Sequence, residues 1–400
     1  MPDTWKINQL GPTAGSVAPS DKAVIRFDVQ APANAEATRP YWKRESLNQA
    51  RYDIVDQRFR GLPLPLPALS AHVDLAIGAA HVRVRQPVEV ELPVEGGART
   101  RYPLQLLPAL SVTLAPRRRV VPFDVEAFPI DVSVTNLSGT PVAGILRLEA
   151  TGAAQVEPAS VPFRIQTPGE AFDAVFSATR VGDAFSTDRE TATIRAIASV
   201  DDRSYSESVR QITAPDLNRF PYYEPATVRV AWADLKMPDD LRIGYVRGTG
   251  DEVGEVLESL GGAVAYLDEE DLASGDLSRF DAIVVGVRAY AVRDDLIEHN
   301  ERLLKYVFDG GVAVVQYQTP EFDNNYGPYP YVMGRRPEEV SEQDAAVRML
   351  APEHPLMQYP NRIGGADFDG WVEQRGSKFL AEWGDRYVPL LACKDYQQPT

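Results

Sequence analysis

The stretch with the densest polar side chains lies near the carboxyl end of the chain. His354 lies between Glu353 and a proline, and Asp367 and Asp369 follow shortly before Trp371. A histidine beside carboxylates can transfer protons as an acid and a base, or bind a single metal ion. One histidine with two aspartates is nevertheless a poor ligand set for zinc. Two interpretations stay open: a small ligand-binding or catalytic site, or a loop in which His354 caps a neighbouring turn.

A second group of polar side chains follows a run of apolar residues. In the segment Gly286-Val-Arg-Ala-Tyr290, Arg288 and Tyr290 come directly after a predicted strand. An arginine can bind a carboxylate through two parallel hydrogen bonds, and a tyrosine can stack on a sugar ring or donate its hydroxyl. We therefore expect Arg288 and Tyr290 to contact a ligand. The alternative is that Arg288 pairs with a neighbouring acid such as Asp251.

An aromatic segment, Tyr326-Gly-Pro-Tyr-Pro-Tyr331, is too irregular for a helix or a central strand. Rings held on a proline-stiffened loop lose little conformational entropy on binding, which suits stacking against a sugar or a partner surface. Tyr329 is the ring that we select as a ligand contact. The alternative is that these rings pack on the core of their own domain.

The elements that must position these side chains are predicted between Leu241 and Tyr317. Short apolar runs at 241–246, 263–267, 282–287 and 312–316 alternate with helical patterns at 253–260 and 294–308. Continuous Val, Ile and Leu runs that alternate with helices indicate a parallel sheet covered on both faces. Ligands bind beyond the carboxyl ends of the strands in such sheets, so the site is expected there.

A glycine turn, Gly248-Thr-Gly250, follows the first of these strands. Free backbone N–H groups at such a turn can bind an anion. Asp251 would repel an anion, and the lysine of a phosphate-binding loop is missing. We therefore favour a strand-to-helix turn that Asp251 caps.

The first half of the chain predicts two antiparallel β-sandwiches. Apolar and polar residues alternate in short runs such as Ala23–Val29, Val82–Arg85 and Ile130–Val134, separated by Gly, Pro, Asn and Asp. This period of two is typical of strands with one buried face. We place an N-terminal sandwich at 1–108, an immunoglobulin-like sandwich at 109–220 and the α/β domain at 221–400.

Composition excludes several classes of function. The chain has 400 residues, 44% of them hydrophobic, and a formal net charge of −16. A globular protein of two or three domains fits this length and composition. The acidic balance argues against a nucleic-acid partner, since binding phosphates needs clustered Lys and Arg. No apolar run approaches the roughly 20 residues of a membrane-spanning helix, so no membrane span is expected.

Cysteine and histidine are scarce. Cys393 is the single cysteine of the sequence, so it can form neither an internal disulfide nor a cysteine-rich metal site. The four histidines, at positions 72, 81, 299 and 354, do not form a ligand-like pair. The amino terminus lacks the pattern of a signal peptide, and the compartment is left open.

Several segments together resemble the long C-terminal region of large bacterial PIG-L (LmbE-like) deacetylases. They are Thr38–Trp42, Gly61–Pro63, Leu241–Val246, Gly286–Tyr290, Gly327–Pro330, Pro352–Pro355 and Asp367–Val372. In that family a zinc-dependent N-acetyl-sugar deacetylase domain precedes β-sandwich modules and a glutamine-amidotransferase-like, flavodoxin-like α/β domain. The resemblance covers nearly the whole chain, and it favours a periplasmic or extracellular location for the parent protein.

The chain departs from that family in its catalytic residues. The deacetylase motif, Pro-His-Pro-Asp-Asp, is absent, so no cofactor is expected in this chain. Zinc is expected only in the deacetylase domain, which this chain lacks. An amidotransferase-like domain would carry a nucleophile after the strand 312–316, where this sequence has Gln316, Tyr317 and Gln318. We retain Gln316 as a candidate ligand contact. The family's closing strands also have no counterpart, so the third domain is expected to be incomplete.

These observations predict a non-catalytic accessory region that binds or positions carbohydrate for a deacetylase domain in cis or in trans. Two alternatives stay open. The α/β domain would be a hydrolase if His354 acted with Asp367 or Asp369. The chain would be a structural spacer or assembly module if it bound no glycan.

Overall fold

A computed structural model describes the chain at residues 5–11, 15–32, 35–43, 51–62, 65–93, 99–181, 191–213, 219–333, 339–342, 344–369 and 376–395. Strand is the dominant secondary structure, and the protein is a β-rich molecule that contains a β-sandwich. Within the described residues, no helix is long and apolar enough to cross a membrane.

The amino-terminal part forms four separate antiparallel strand pairs. They are β1 (Lys6–Leu10) with β2 (Arg26–Gln30), β3 (Trp42–Lys43) with β4 (Asp53–Ile54), β5 (Ser70–Ile77) with β6 (Ala80–Pro87), and β7 (Glu89–Pro93) with β8 (Arg99–Pro103). Their apolar side chains stay in contact with solvent: Val73 and Ile77, for example, are 46% and 65% exposed. Isolated two-stranded hairpins are marginally stable in water. The described part of this region has no buried core of its own, and the N-terminal sandwich stays a prediction.

A β-sandwich follows, with twelve described strands in its region. They are β9 (Leu110–Ala115), β10 (Arg118–Pro122), β11 (Ala127–Asn136), β12 (Val142–Gly152), β13 (Ala154–Glu157), β14 (Ser160–Ile165), β15 (Ala171–Arg180), β16 (Thr191–Val200), β17 (Arg203–Tyr205), β18 (Glu207–Ile212), β19 (Phe220–Pro225) and β20 (Thr227–Ala233). One sheet has the order β10-β20-β16-β12-β14, with β17 beside β16, and the other has the order β13-β15-β11-β9. Strands β18 and β19 form a hairpin beside them.

The alternating pattern of β11 explains how the two sheets pack. Phe128, Ile130, Val132 and Val134 point inward and are at most 3% exposed, while the residues between them face outward. They join one apolar cluster with inward side chains of both sheets, including those of β16 and β20. Burial of this shared face is the main force that holds the sandwich together.

The sandwich ends later than the sequence predicted. Strand β20 pairs in parallel with β10 and antiparallel with β16, and Trp232 on this strand is 1% exposed. The predicted boundary at 220 is therefore corrected: the unit that starts at Leu110 includes the chain as far as Ala233. The pairing of β20 with strands distant in the chain assigns it to this sandwich.

The α/β unit alternates strands and helices from Arg242 to Val315. It consists of β21 (Arg242–Val246), α1 (Val253–Ser259), β22 (Ala263–Tyr266), α2 (Glu269–Ser274), β23 (Ala282–Val285), α3 (Asp294–Glu298), α4 (Asn300–Phe308) and β24 (Val312–Val315). The four strands are parallel, in the order β22-β21-β23-β24. Helices α2, α3 and α4 cover one apolar face, and α1 packs on the other.

Short elements complete the described chain. They are β25 (Tyr331–Met333), β26 (Val347–Met349), α5 (Pro355–Gln358), β27 (Leu380–Trp383) and β28 (Leu391–Cys393). Strand β25 pairs with β27, and β26 pairs with β28. Single 3-10 turns lie at 57–59, 277–279, 289–291, 320–324 and 365–368.

Replacement of Trp232 tests the corrected boundary. Trp232→Ala removes a buried ring that lies edge-on to Phe128, with 6.3 Å between ring centroids. We expect the free energy of unfolding of the sandwich to fall by about 3–5 kcal/mol, measured by urea denaturation. Trp383→Ala is the control, since Trp383 is 47% exposed and should cost about 1 kcal/mol or less. Equal, small effects would contradict the assignment of β20 to the sandwich core.

Candidate functional site

The carboxyl ends of three parallel strands bring three loops together. Strands β21, β23 and β24 end at Val246, Val285 and Val315, and the loops that follow begin at Arg247, Gly286 and Gln316. In open parallel sheets this edge is where ligands bind. The candidate site is therefore built from these loops.

Asp251 connects the first two of these loops. Its carboxylate accepts hydrogen bonds from the backbone N–H groups of Val253 (3.3 Å) and Val287 (3.2 Å), and from the hydroxyl of Tyr245. The Gln316 side-chain amide donates to that hydroxyl at 3.0 Å, which adds the third loop. The side chain of Asp251 is therefore structural. Its partners are these groups rather than Arg288, so the alternative in which Arg288 pairs with Asp251 is not realised.

Two glycines allow the loops to approach closely. The Thr249 N–H donates to the Val287 carbonyl at 2.8 Å. A Cβ atom on Gly248 would overlap that same carbonyl, and one on Gly286 would come within 2.9 Å of the Asp251 carboxylate. The glycine turn thus acts as a strand-to-helix turn in which the N–H groups of Thr249 and Gly250 already have partners within the chain.

Arg288 is exposed on a fixed backbone. Its φ of 55° lies in the left-handed region, which costs a non-glycine residue free energy unless neighbouring contacts stabilise it. Here its N–H donates to the Tyr317 carbonyl at 2.8 Å. The pKa of Glu321 is lowered by a hydrogen bond from the Thr319 hydroxyl, by its own backbone N–H and by the charge of Arg288. A guanidinium and a carboxylate therefore influence each other at this edge.

Tyr317 was not selected as a ligand contact from the sequence. It is 41% exposed, lies two residues after the end of β24, and is joined to Arg288 through the backbone hydrogen bond just described. The sequence signal was available, because Tyr317 immediately follows a predicted strand. Its pairing with Arg288 depends on the tertiary structure.

Tyr290 lies in the core instead of at the edge. It is 2% exposed, its hydroxyl donates to Asn300 Oδ1 at 2.6 Å, and its ring stacks on Tyr326 at a centroid distance of 4.8 Å. The prediction that Tyr290 contacts a ligand is corrected for this reason. Burial raises the pKa of Tyr290 well above its usual range.

Gln316 and Gln318 stabilise the turn after β24. The Gln318 amide donates to the carbonyls of Gly286 (3.0 Å) and Gln316 (3.1 Å), and its oxygen accepts from the Tyr290 N–H at 3.3 Å. Gln316 is half-buried and donates to Tyr245, as described above. The position where a nucleophile was sought therefore carries amides that hold the backbone.

The aromatic segment divides between core and surface. Tyr326 and Tyr331 contact Phe322, so they pack inside the unit. Tyr329 is 41% exposed, and its backbone N–H and carbonyl both bond to the Tyr387 hydroxyl, at 3.3 and 2.7 Å. Tyr329 thus has an accessible ring on a fixed loop, and its role as a ligand contact stays a prediction.

The His354 group is not assembled into an acid–base pair. His354 caps α5, because its Nδ1 accepts from the Leu356 N–H at 3.2 Å. Asp367 caps the 3-10 turn at 365–368 by accepting from the Gly364 N–H at 2.7 Å. No hydrogen bond or ion pair joins His354 to Asp367 or Asp369 in the described part of the chain. Trp371 lies outside the described residues.

Potential metal ligands are dispersed over the described ranges. Among those residues, no group of three or more His, Cys, Asp or Glu side chains is placed to hold a metal ion. Cys393, the single cysteine of the sequence, is half-buried in β28.

Comparisons with known proteins identify no family for this chain. No protein-family model and no curated protein matches the chain. The structure is similar to the periplasmic chaperone SfaE, with 12% identity and a TM-score of 0.20 over 30% of this chain and 56% of that chain. For the E. coli chaperone DraB the identity is 16% and the TM-score 0.19, over 31% and 54%.

A third similarity is to the apo form of the Calx CBD1 domain, with 14% identity and a TM-score of 0.20 over 32% of this chain and 100% of that domain. This chain spans little more than half the length of the two chaperones. Similarities with such low TM-scores carry no argument about what the protein does.

Removal of the Tyr245 hydroxyl tests the network that joins the three loops. Tyr245 is 1% exposed, so Tyr245→Phe leaves the Gln316 amide and one Asp251 oxygen without this partner. At pH 7 we expect the free energy of unfolding to fall by about 1–2 kcal/mol, measured by urea denaturation. Tyr317→Phe changes an exposed tyrosine and should alter it by about 0.5 kcal/mol or less.

Comparison of wild type with Tyr245→Phe also tests how the free energy of unfolding depends on pH in the alkaline range. Burial and the hydrogen bond to Asp251 raise the pKa of the Tyr245 hydroxyl above its usual range. The unfolded chain therefore releases this proton first, near pH 10, so this contribution to stability is complete below about pH 10 and falls as the pH rises. Between about pH 9 and 11.5, wild type should lose stability more steeply than Tyr245→Phe. Parallel curves would contradict the raised pKa.

Proposed function

We propose that this chain is a non-catalytic accessory region of a PIG-L-type N-acetyl-sugar deacetylase, and that its α/β unit binds carbohydrate at the carboxyl edge of the sheet. The observation that carries the proposal is the exposed pair of Arg288 and Tyr317, joined by a 2.8 Å backbone hydrogen bond. The deacetylase domain would act in cis or in trans.

The side chains of this edge suit a sugar. The Tyr317 ring, 41% exposed, offers a flat apolar surface for the C–H face of a pyranose. The guanidinium of Arg288 can donate several hydrogen bonds in a fixed plane, and the carboxylate of Glu321 can accept hydrogen bonds from a ligand. Sugar hydroxyls and an N-acetyl carbonyl would therefore both find partners. Gln316 lies beside them at the end of β24, although its amide already donates to Tyr245.

The backbone of the site is fixed before a ligand arrives. Asp251 and Gln318 hold the loops after β21, β23 and β24 to one another through the hydrogen bonds described above. Arg288 is held in its left-handed conformation by the Tyr317 carbonyl. A preorganised loop loses less conformational entropy on binding, which favours recognition of a weakly binding ligand such as a glycan.

The strand order supports a flavodoxin-like origin of the α/β unit. Doubly wound sheets of that type have the order 2-1-3-4-5, and the order here, β22-β21-β23-β24, corresponds to its first four strands. An amidotransferase-like relative would place its nucleophile after β24. The amides of Gln316 and Gln318 hold the backbone there, which supports a fold retained for binding.

Glycan binding is the direct test of this proposal. On an array that includes N-acetylglucosamine oligomers, wild type should bind and Arg288→Ala should bind about 10- to 100-fold more weakly. Hydrogen bonds to a charged group contribute about 1.5–3 kcal/mol, which gives that range. Tyr317→Ala should weaken binding by a smaller factor, about 3- to 10-fold.

Arg118→Ala is the matched control, because Arg118 is an exposed arginine on β10 of the sandwich. It should bind like wild type. Binding that survives both Arg288→Ala and Tyr317→Ala would contradict this site. An array without any signal would favour the alternative of a structural spacer.

A deacetylase assay tests the non-catalytic part of the proposal. With N-acetylglucosamine derivatives and added zinc, we expect acetate release equal to that of the buffer alone. If wild type released more acetate than the buffer and His354→Ala did not, the result would support the hydrolase alternative instead.

A further inference from the structure

An apolar cavity of about 240 Å³ lies between α4, β24 and the segments that follow β24. Its wall includes Leu304 and Val307 of α4, Ala313 and Val315 of β24, and Leu380 of β27. Rings of the aromatic segment complete the lining. A cavity of about 150 Å³ with similar lining holds a benzene molecule, so this cavity has room for one aromatic side chain.

Three of the four tyrosine hydroxyls in the lining already donate a hydrogen bond within the chain. The Tyr290 hydroxyl donates to Asn300, the Tyr387 hydroxyl donates to the Tyr329 carbonyl, and the Tyr331 hydroxyl donates to the Phe322 carbonyl. A polar occupant would find few free partners there. The cavity therefore favours an apolar group.

Phe308 supplies such a group on the same helix. It is 88% exposed, the highest value among the large apolar side chains of the described residues. It lies one helical turn after Leu304, which places it on the same side of α4 as a cavity-lining residue. Its ring is nevertheless outside the cavity of its own chain.

A projecting ring and a cavity of matching size on one helix are self-complementary. A two-fold axis beside α4 would bring each Phe308 to the cavity of the other copy, because a two-fold interface uses the same surface on both subunits. Val315 and Leu380, which line the cavity and are 40% and 36% exposed, would be covered at the same time.

We propose that the chain forms a two-fold symmetric dimer in which Phe308 of each copy inserts into the apolar cavity beside α4 of the other. The inference is independent of carbohydrate binding, because it uses neither Arg288 nor Tyr317. Binding hot spots are often aromatic side chains that are buried near the centre of an interface, and Phe308 would take that place here.

Sedimentation velocity of the 400-residue chain over a micromolar concentration series tests the dimer. Wild type should show a concentration-dependent dimer, and Phe308→Ala should weaken dimerisation about 30-fold or more. Leu380→Arg, which brings a charge to the cavity mouth, should act in the same direction. Tyr359→Ala is the control, since Tyr359 is 77% exposed on another segment and should leave dimerisation unchanged.

Phe308→Trp gives a second measurement of dimerisation, and it leaves the residues that line the cavity unchanged. Its tryptophan emission should shift to shorter wavelength as the concentration rises through the dimerisation range. A wild type that stays monomeric, with or without an apolar ligand in the cavity, would overturn the proposal. A Phe308→Ala variant that dimerises like wild type would overturn it as well.

Discussion

The carboxylate of Asp251 is the interaction on which the candidate site depends. It accepts from the N–H groups of Val253 and Val287 and from the Tyr245 hydroxyl, so one side chain connects the start of α1, the loop after β23 and a buried residue of β21. Through Tyr245 the network also includes Gln316 at the end of β24. A partly buried carboxylate is stabilised when its oxygens are hydrogen-bonded, and here those same bonds hold the loops together.

The rigidity of this edge determines which side chains a ligand can reach. Arg288 and Tyr317 project from loops whose backbones are bonded to each other, whereas Tyr290 turns inward and stacks on Tyr326. The division into an exposed guanidinium and a buried phenol only two residues apart follows from the left-handed conformation at Arg288. A surface of this kind suits binding of a hydroxyl-rich ligand, and the proposed dimer face around Phe308 uses a different part of the unit.

The sandwich and the α/β unit are built by different patterns of burial. In the sandwich, alternating residues of β11 and β16 meet in one layer between two sheets. In the α/β unit, the continuous apolar strands β21 and β23 are buried under helices on both faces, whereas the valines of β24 stay partly exposed. The amino-terminal strands alternate as well, yet their described side chains remain exposed, since each pair lacks an opposing sheet.

The sequence by itself determined the four parallel strands between 241 and 317, the helical segments of α1, α3 and α4, the sheet edge where polar loops meet, and much of the strand pattern of the sandwich, because local periodicity reflects burial directly. Helix α2 was not predicted. Only the tertiary structure decided that β20 completes the sandwich, that Tyr290 is buried and that His354 and Asp367 cap separate turns. The tertiary structure also showed that the Tyr317 carbonyl bonds to the Arg288 N–H. Strand pairing and side-chain direction depend on residues far apart in the chain, and a single sequence does not specify those contacts.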